Sequence, residues 1–218
     1  MRFEEQKLEL NDGRRMVFLR IPSYFPKENR PFVYLPTADF SFKATTEETF
    51  QVMMRVIDGL LDKHASEKGL IHAISYDVAS YIVHHTRHQD RVITHPDAST
   101  RTQALEQLIE SEFPLALVSP SFERGVDLYD DRARFQIIVK IPYMLASDPQ
   151  TRKRMNMGKM GARWYSLEAA RAIVQMAGRI VRSVSDYGTT YILDTRWPEF
   201  YERMKQDFPA WFREVAAP

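Results

Sequence analysis

The sequence predicts an α/β fold built on a mainly parallel sheet with helices on both faces. Strand-like and helix-like segments alternate along the chain, the order of β-α-β units. Leu70 to Ile74 and Leu115 to Val118 are short apolar runs, as strands buried on both faces are, and Phe135 to Ile141 is β-rich and uncharged until Lys140. The segments between them carry apolar residues at helical spacing.

In chain order, Pro31 to Leu35 begins an apolar run. Thr45-Thr46-Glu47-Glu48 then caps an amphipathic helix through about His64, with Phe50, Met53, Met54, Ile57, Leu60 and Leu61 on one face. The strand Leu70 to Ile74 follows Gly69, then a helix over Tyr76 to His85 and a short strand over Arg91 to Thr94. Ser99 caps a helix carrying Ala104, Leu105, Leu108 and Ile109, before Pro114 and the strand Leu115 to Val118. Phe135 to Ile141 reads as a central strand. Asp148 to Ser183 is helical, as two helices broken near Gly158 to Trp164; Thr189 to Leu193 is the last strand, and the chain from Pro198 is helical with a break near Pro209.

With 218 residues and 44% hydrophobic content, the chain is expected to form one domain over 1–218. Thirty basic and 29 acidic residues leave a net charge of +1, so any nucleic-acid site must be local. With no cysteine there is no disulfide and no thiolate metal site. There is no 18-residue apolar run and no signal-type segment, so the expectation is a soluble, intracellular (cytoplasmic) protein with no membrane partner. His84, His85 and His88 sit on a polar helix end with no second ligand cluster, and no metal site is expected.

The segment Gln175-Met-Ala-Gly178-Arg179-Ile-Val-Arg182 sets two arginines three residues apart on one expected helical face, with a glutamine one turn earlier. Guanidinium groups bind phosphate oxygens bidentately and stay charged, so such a pair suits the charge on a transferring phosphoryl group; a solvated Arg-x-x-Arg face is the plain alternative. Asp186-Tyr-Gly188 and Tyr191-Ile-Leu-Asp194-Thr-Arg196 follow. Strand ends of a parallel sheet present loops where ligands bind. Ser75-Tyr76, Thr94-His95 and Ser119 fall at such ends. Ser75 is also a candidate helix N-cap and Tyr76 a candidate packing residue.

The Q-x-x-G-R-x-x-R pattern resembles motif VI of superfamily 2 helicases, and the trailing D-x-G and I-L-D-x-R resemble the XPD/DinG-like (Rad3-related) branch. Ile21 to Arg30 resembles the lead-in to that branch's second motor domain. Gly69 to Tyr76 resembles motif IV, Ser119 to Leu128 motif V, and Phe135 to Tyr143 the strand after it. The resemblance runs from about residue 15 to about 197, with C-terminal helices over about 198–218. It implies a RecA-like, three-layer domain of P-loop NTPase type.

The resemblance also assigns roles. Arg179 and Arg182 meet the γ-phosphate of ATP held by another domain, with Arg182 the better arginine finger and Gln175 positioning the attacking water or the finger. Gly178, Glu123, Gly125 and Asp127 bind nucleotide or couple it to DNA. Ser75, Tyr76, Thr94, His95 and Ser119 contact single-stranded DNA. Asp186 and Asp194 are candidates to hold the arginines by ion pairs. Motif V departs from the branch, which has glutamate directly before the glycine; here Arg124 stands there, in the R-G-x-D form of DEAD-box relatives.

The chain has no G-x-x-x-x-G-K-[ST] loop and no acidic partner for Mg²⁺ beside one. It therefore reads as the C-terminal motor domain of an ATP-dependent DNA helicase, inactive alone, whose ATP and Mg²⁺ are bound mainly by a Walker A-bearing first domain on the same or another chain. Without cysteine it supplies no iron–sulfur ligands. The alternative is a non-catalytic motor half that binds nucleic acid or a helicase partner.

Overall fold

Six parallel strands form the central sheet of the computed structural model, which describes residues 23–41, 44–120 and 128–218 in full and the strands 4–9 and 15–20 as backbone. Those first two strands, β1 (Glu4–Glu9) and β2 (Arg15–Arg20), make a separate antiparallel pair. The main sheet comprises β3 (Phe32–Ala38), β4 (Gly69–His72), β5 (Val92–Thr94), β6 (Ala116–Ser119), β7 (Phe135–Ile138) and β8 (Thr189–Asp194), in the order β3-β8-β7-β4-β6-β5. Among the described residues seven helices connect and cover it: α1 (Glu47–Lys63), α2 (Tyr76–His85), α3 (Arg101–Glu110), α4 (Pro149–Met155), α5 (Gly158–Ala177), α6 (Trp197–Met204) and α7 (Ala210–Ala216).

Side chains alternate across the strands, and the alternation builds two core layers. Ile71, Ala116, Val118, Phe135, Ile137, Tyr191 and Leu193 face α1 and α2. Leu70, Leu117, Ile138 and Ile192 point the other way, toward α3, α5, α6 and α7. Met53, Ile57 and Leu61 of α1 are fully buried, each contributing about 2 kcal/mol of apolar burial. On the second face Trp197, Phe200, Phe208 and Phe212 pack on Phe32 and on one another, with Phe208 and Phe212 rings 4.9 Å apart.

Connections that step toward β5 run over the first face, through α1 and α2, and those that step back run over the second, through α3 and α5. That is the pattern crossovers of one hand produce. It makes β4 and β7 adjacent strands whose chains leave to opposite faces, a switch point that opens a crevice at their carboxyl ends.

Local chemistry sets the helix ends. Thr46 caps α1 through its side chain, and Thr49 completes the box by accepting the Thr46 N–H at 3.1 Å. The buried Arg91 guanidinium, from the turn before β5, donates to the carbonyls of Leu61, His64, Glu67 and Pro114, satisfying the end of α1. Pro198 sits in the first turn of α6 and Pro209 precedes α7, so the break near Pro209 stands.

Five features differ from the sequence reading, the first being that the strand read over Phe135 to Ile141 ends at Ile138. Ser99 does not cap α3: Asp97 accepts from the backbone N–H groups of Ser99 and Thr100 and from the Ser99 hydroxyl, so the turn is built before the helix begins. The strand at 70–74 ends at His72, because Ile74 turns to a left-handed φ of 69°. The break between α4 and α5 falls at Asn156 and Met157, before Gly158 at φ 63°. Finally, α5 ends at Ala177 rather than Ser183, leaving Arg179 and Arg182 beyond the helix. The reason lies downstream. The Asp186 carboxylate accepts the Arg182 N–H at 2.9 Å and the Ser183 hydroxyl accepts the Asp186 N–H at 3.1 Å, so side chains take N–H groups that a longer helix would have bonded to carbonyls.

Candidate nucleic-acid and nucleotide interface

β4, β6 and β5 lie side by side, so their carboxyl ends bring together five residues separated by up to 44 positions in sequence. Ser75 and Tyr76 follow β4, Thr94 and His95 close β5, and Ser119 closes β6. Ser75 accepts the Val78 N–H at 3.2 Å as the N-cap of α2, which leaves its own hydroxyl hydrogen able to donate. Tyr76 is exposed and meets the His95 ring edge to face at 5.7 Å. Thr94 donates to the Val118 carbonyl at 2.9 Å. His95 is buried, with Nδ1 2.7 Å from the Asp97 carbonyl and Nε2 2.7 Å from the Ser119 hydroxyl. A carbonyl only accepts, so Nδ1 carries a proton, and Nε2 shares the second hydrogen bond with the Ser119 hydroxyl. Thr94, His95 and Ser119 thus brace the strand ends, while Tyr76 and Ser75 face outward from them.

Across the switch point, a cleft of about 590 Å³ opens between Ile74, Pro120 and Pro142 to Met144 on the strand-end side and Glu168, Arg171, Ala172, Gln175 and Met176 of α5. Ile74 is β-branched and holds a positive φ at this rim, a conformation that costs about 1–2 kcal/mol. Its neighbour Ser75 fixes the start of α2, so the strain sits at the joint between β4 and α2. Gln175 is exposed in the last turn of α5 and belongs to this cleft.

Gly178 caps α5 at φ −84° and ψ 10°. Arg179 is buried at 5% exposure, and Arg182 is exposed. Asp186, wholly buried, pairs with Arg134 at 2.7 Å and also accepts from the N–H groups of Asp130 and Tyr187. Asp194 pairs with Arg196 at 2.7 Å and accepts the Ile141 N–H at 3.1 Å, tying the exit of β7 to that of β8. The ion pairs expected of these aspartates with the motif arginines therefore go to Arg134 and Arg196, and Asp186 grips Arg182 by its backbone.

Beneath Gly178 lies a polar network that the sequence reading missed. Gln136, on β7, donates to the Met176 carbonyl and to the Thr190 hydroxyl, both at 2.8 Å, and accepts from His72 Nε2 at 3.1 Å. Burial pushes His72 down to a pKa of about 4, the Gln136 hydrogen bond opposes that shift, and the nearby Arg179 charge adds to it. A glutamine in an otherwise apolar central strand was the available signal.

Glu123, Gly125 and Asp127 lie outside the described residues. Among the described residues no group of three or more His, Asp or Glu side chains gathers as a metal would require, and no helix is long and apolar enough to cross a membrane. His84 bonds the Ser80 carbonyl, His85 stacks on Tyr81 at 3.9 Å, and His88 lies 3.1 Å from Asp62.

Comparison with known proteins gives this geometry its relatives. The helicase C-terminal domain family matches residues 60–215. Regulator of telomere elongation helicase 1 homologs are similar over part of the chain: that of Caenorhabditis briggsae is 34% identical over 114 residues, covering 46% of this chain and 11% of its own length. That of Aedes aegypti is 31% identical over 110 residues, with the same coverage. The chain thus spans about a tenth of these curated relatives. Among solved structures, an apo XPD superposes with a TM-score of 0.66 at 14% identity, covering 81% of this chain and 38% of its own. S. tokodaii Xpd4 superposes with a TM-score of 0.60 at 19% identity, covering 80% and 36%. The fold is the RecA-like α/β domain of those helicases, and the chain belongs to the helicase C-terminal domain family.

Proposed function

We propose that this chain is the second motor domain of an ATP-dependent DNA helicase. In this reading it grips single-stranded DNA along the carboxyl edge of its sheet and completes an ATPase site on a Walker A-bearing first domain. The observation that carries the reading is the convergence of Ser75, Tyr76, Thr94, His95 and Ser119 on one sheet edge, with Gln175 across the crevice between β4 and β7. Two ligand-facing elements on one rigid sheet are what a motor half requires to link strand binding to hydrolysis.

On the DNA side, the outward Ser75 hydroxyl donates to a phosphate oxygen and the Tyr76 ring offers a stacking face, while His95 and Ser119 hold that ring's support in place. On the nucleotide side, Arg182 is exposed on a turn pinned by Asp186, which suits a guanidinium meeting the γ-phosphate from across a cleft. Arg179, buried beside His72, anchors the same turn, and Gln175 orients the attacking water or the finger. ATP with Mg²⁺, held mainly by the other domain, supplies the phosphoryl group and the metal charge that stabilises its transfer. Glu123, Gly125, Asp127 and Gly178 link the two sides in the same reading.

The test joins this chain to a first motor domain and measures ATP hydrolysis with and without single-stranded DNA. The joined protein should be stimulated by DNA while the chain alone is inert, and Arg182→Ala should cost at least about a hundredfold in turnover with ATP binding retained. Full turnover in Arg182→Ala would remove the finger assignment. A joined protein that binds DNA without hydrolysing ATP would make this a binding module instead.

A further inference from the structure

The corner between α4 and α5 carries a concentration of charge that the motifs do not explain. From Leu145 to Trp164 there are five basic residues, Arg152, Lys153, Arg154, Lys159 and Arg163, against Asp148 alone, a local charge of +4 in a chain whose total is +1. Arg163 pairs with Asp207, and Arg154 lies over the Trp164 ring at 5.2 Å. Arg152, Lys153 and Lys159 are exposed. Between the cations stand large apolar side chains in solvent: Met160 is 82% exposed and Met157 is 69% exposed.

The corner is built to hold one shape. A Cβ on Gly161 would lie 2.2 Å from the Arg154 carbonyl oxygen, so only glycine lets α5 approach the end of α4 this closely. Gly158 supplies the left-handed φ of 63° that turns the chain between them. The corner is also fastened to the carboxyl edge of the sheet. The Tyr165 hydroxyl donates to the Met144 carbonyl at 2.7 Å, and its ring stacks on Tyr143, just past β7, at 5.0 Å. The basic corner is therefore held at the carboxyl end of β7, the strand beside β4, whose own exit leads to Ser75 and Tyr76.

We infer that this corner is a second binding surface for single-stranded nucleic acid, continuous with the sheet edge. Arg152, Lys153 and Lys159 take backbone phosphates, and Met157, Met160 and the Trp164 ring under Arg154 offer apolar faces to unpaired bases. A strand leaving the β4–β6–β5 edge meets cations and flat apolar surface together, the combination that suits a flexible polyanion with exposed bases. The inference rests on the reading of the sheet edge as the DNA track.

The test measures binding of a fluorescein-labelled oligothymidylate to the intact chain by anisotropy across a salt series. The triple variant Arg152→Glu, Lys153→Glu, Lys159→Glu should bind at least about tenfold more weakly, and its log-affinity slope against log salt should be shallower by about 2. A control with the same change in charge at the exposed Lys27, Arg55 and Lys63 should bind within about threefold of the parent, and equal melting temperatures establish that all variants fold. A corner variant that binds like this control, with Tyr76→Ala weakened, would overturn the second surface and leave the sheet edge standing. No binding by the parent chain would overturn the edge reading and this inference with it. Tighter binding to phosphatidylserine vesicles than to the oligonucleotide, lost in the same triple variant, would reassign the corner to anionic membrane.

Discussion

Gly178 occupies a backbone conformation open to any residue, and a Cβ there would meet the Val174 carbonyl oxygen at 3.4 Å, ordinary contact. Gly178→Ala should therefore change unfolding free energy by no more than about 1 kcal/mol in urea titrations, and stabilise if anything. A larger loss would mean that the helix end is strained in a way these dihedrals do not contain. With stability preserved, any fall in turnover of the joined motor is attributable to the site. Ser119 stands in the opposite position. Ser119→Ala takes a hydrogen-bond partner from a buried histidine ring and should cost about 1–3 kcal/mol in the same titration, before any DNA is added. A neutral result would show that His95 finds another partner. At this scale the sequence placed Ser75, Tyr76, Thr94, His95 and Ser119 correctly at strand ends, because apolar runs followed by polar residues mark those ends. What each side chain does was not legible, since His95 meets Ser119 across 24 positions that only the sheet brings together.

Helix α5 shows where reading by elements stops. Its apolar periodicity is visible in sequence, but its end is set by Asp186, a residue nine positions past Ala177 that competes for the chain's N–H groups. The network under that end is equally tertiary: Gln136 from β7, His72 from β4, Thr190 from β8 and the Met176 carbonyl from α5. Gln136→Leu would leave the Met176 carbonyl, the Thr190 hydroxyl and His72 without this partner, and should cost about 3 kcal/mol, read as a lower urea midpoint. The same network predicts acid sensitivity. His72 has a pKa of about 4 in the fold against 6.5 as its ordinary value. Between those values the unfolded chain binds a proton that the folded chain does not, so stability is fully present above about pH 6.5 and declines as pH falls toward 4. The decline from this group is roughly 3 kcal/mol. Urea titrations from pH 7.5 to 4.5 on the parent and on His72→Gln, which cannot titrate, should converge toward low pH. Parallel curves would show that His72 is not the group responsible.

For the whole molecule, alternation of strands and helices was enough to predict a parallel sheet covered twice, while the order β3-β8-β7-β4-β6-β5 was not legible, because strand order depends on which face each crossover takes. The antiparallel pair β1 and β2 also went unread, although the turn residues Asn11-Asp12-Gly13 shortly before the apolar run Met16-Val17-Phe18-Leu19 are a hairpin signal. The C-terminal helices, beyond the motif-bearing core that ends at about residue 197, pack onto it: Trp197, Phe200, Phe208 and Phe212 complete the second core layer over Phe32, Ile138 and Ile192. This makes the distribution of tryptophan a direct probe of cooperativity. All three tryptophans, Trp164, Trp197 and Trp211, belong to the helical segments α5 to α7, and none belongs to the layer formed by α1 and α2. Tryptophan fluorescence therefore follows the second layer, whereas far-ultraviolet circular dichroism follows every helix. Because both layers are built on opposite faces of the same strands, removing one exposes residues such as Ile138 and Ile192 that alternate with the core of the other. The two signals should change with a single urea midpoint, the mark of one cooperative unit. Fluorescence falling well before ellipticity would instead make the C-terminal helices a subdomain that separates from the sheet while α1 and α2 stay packed.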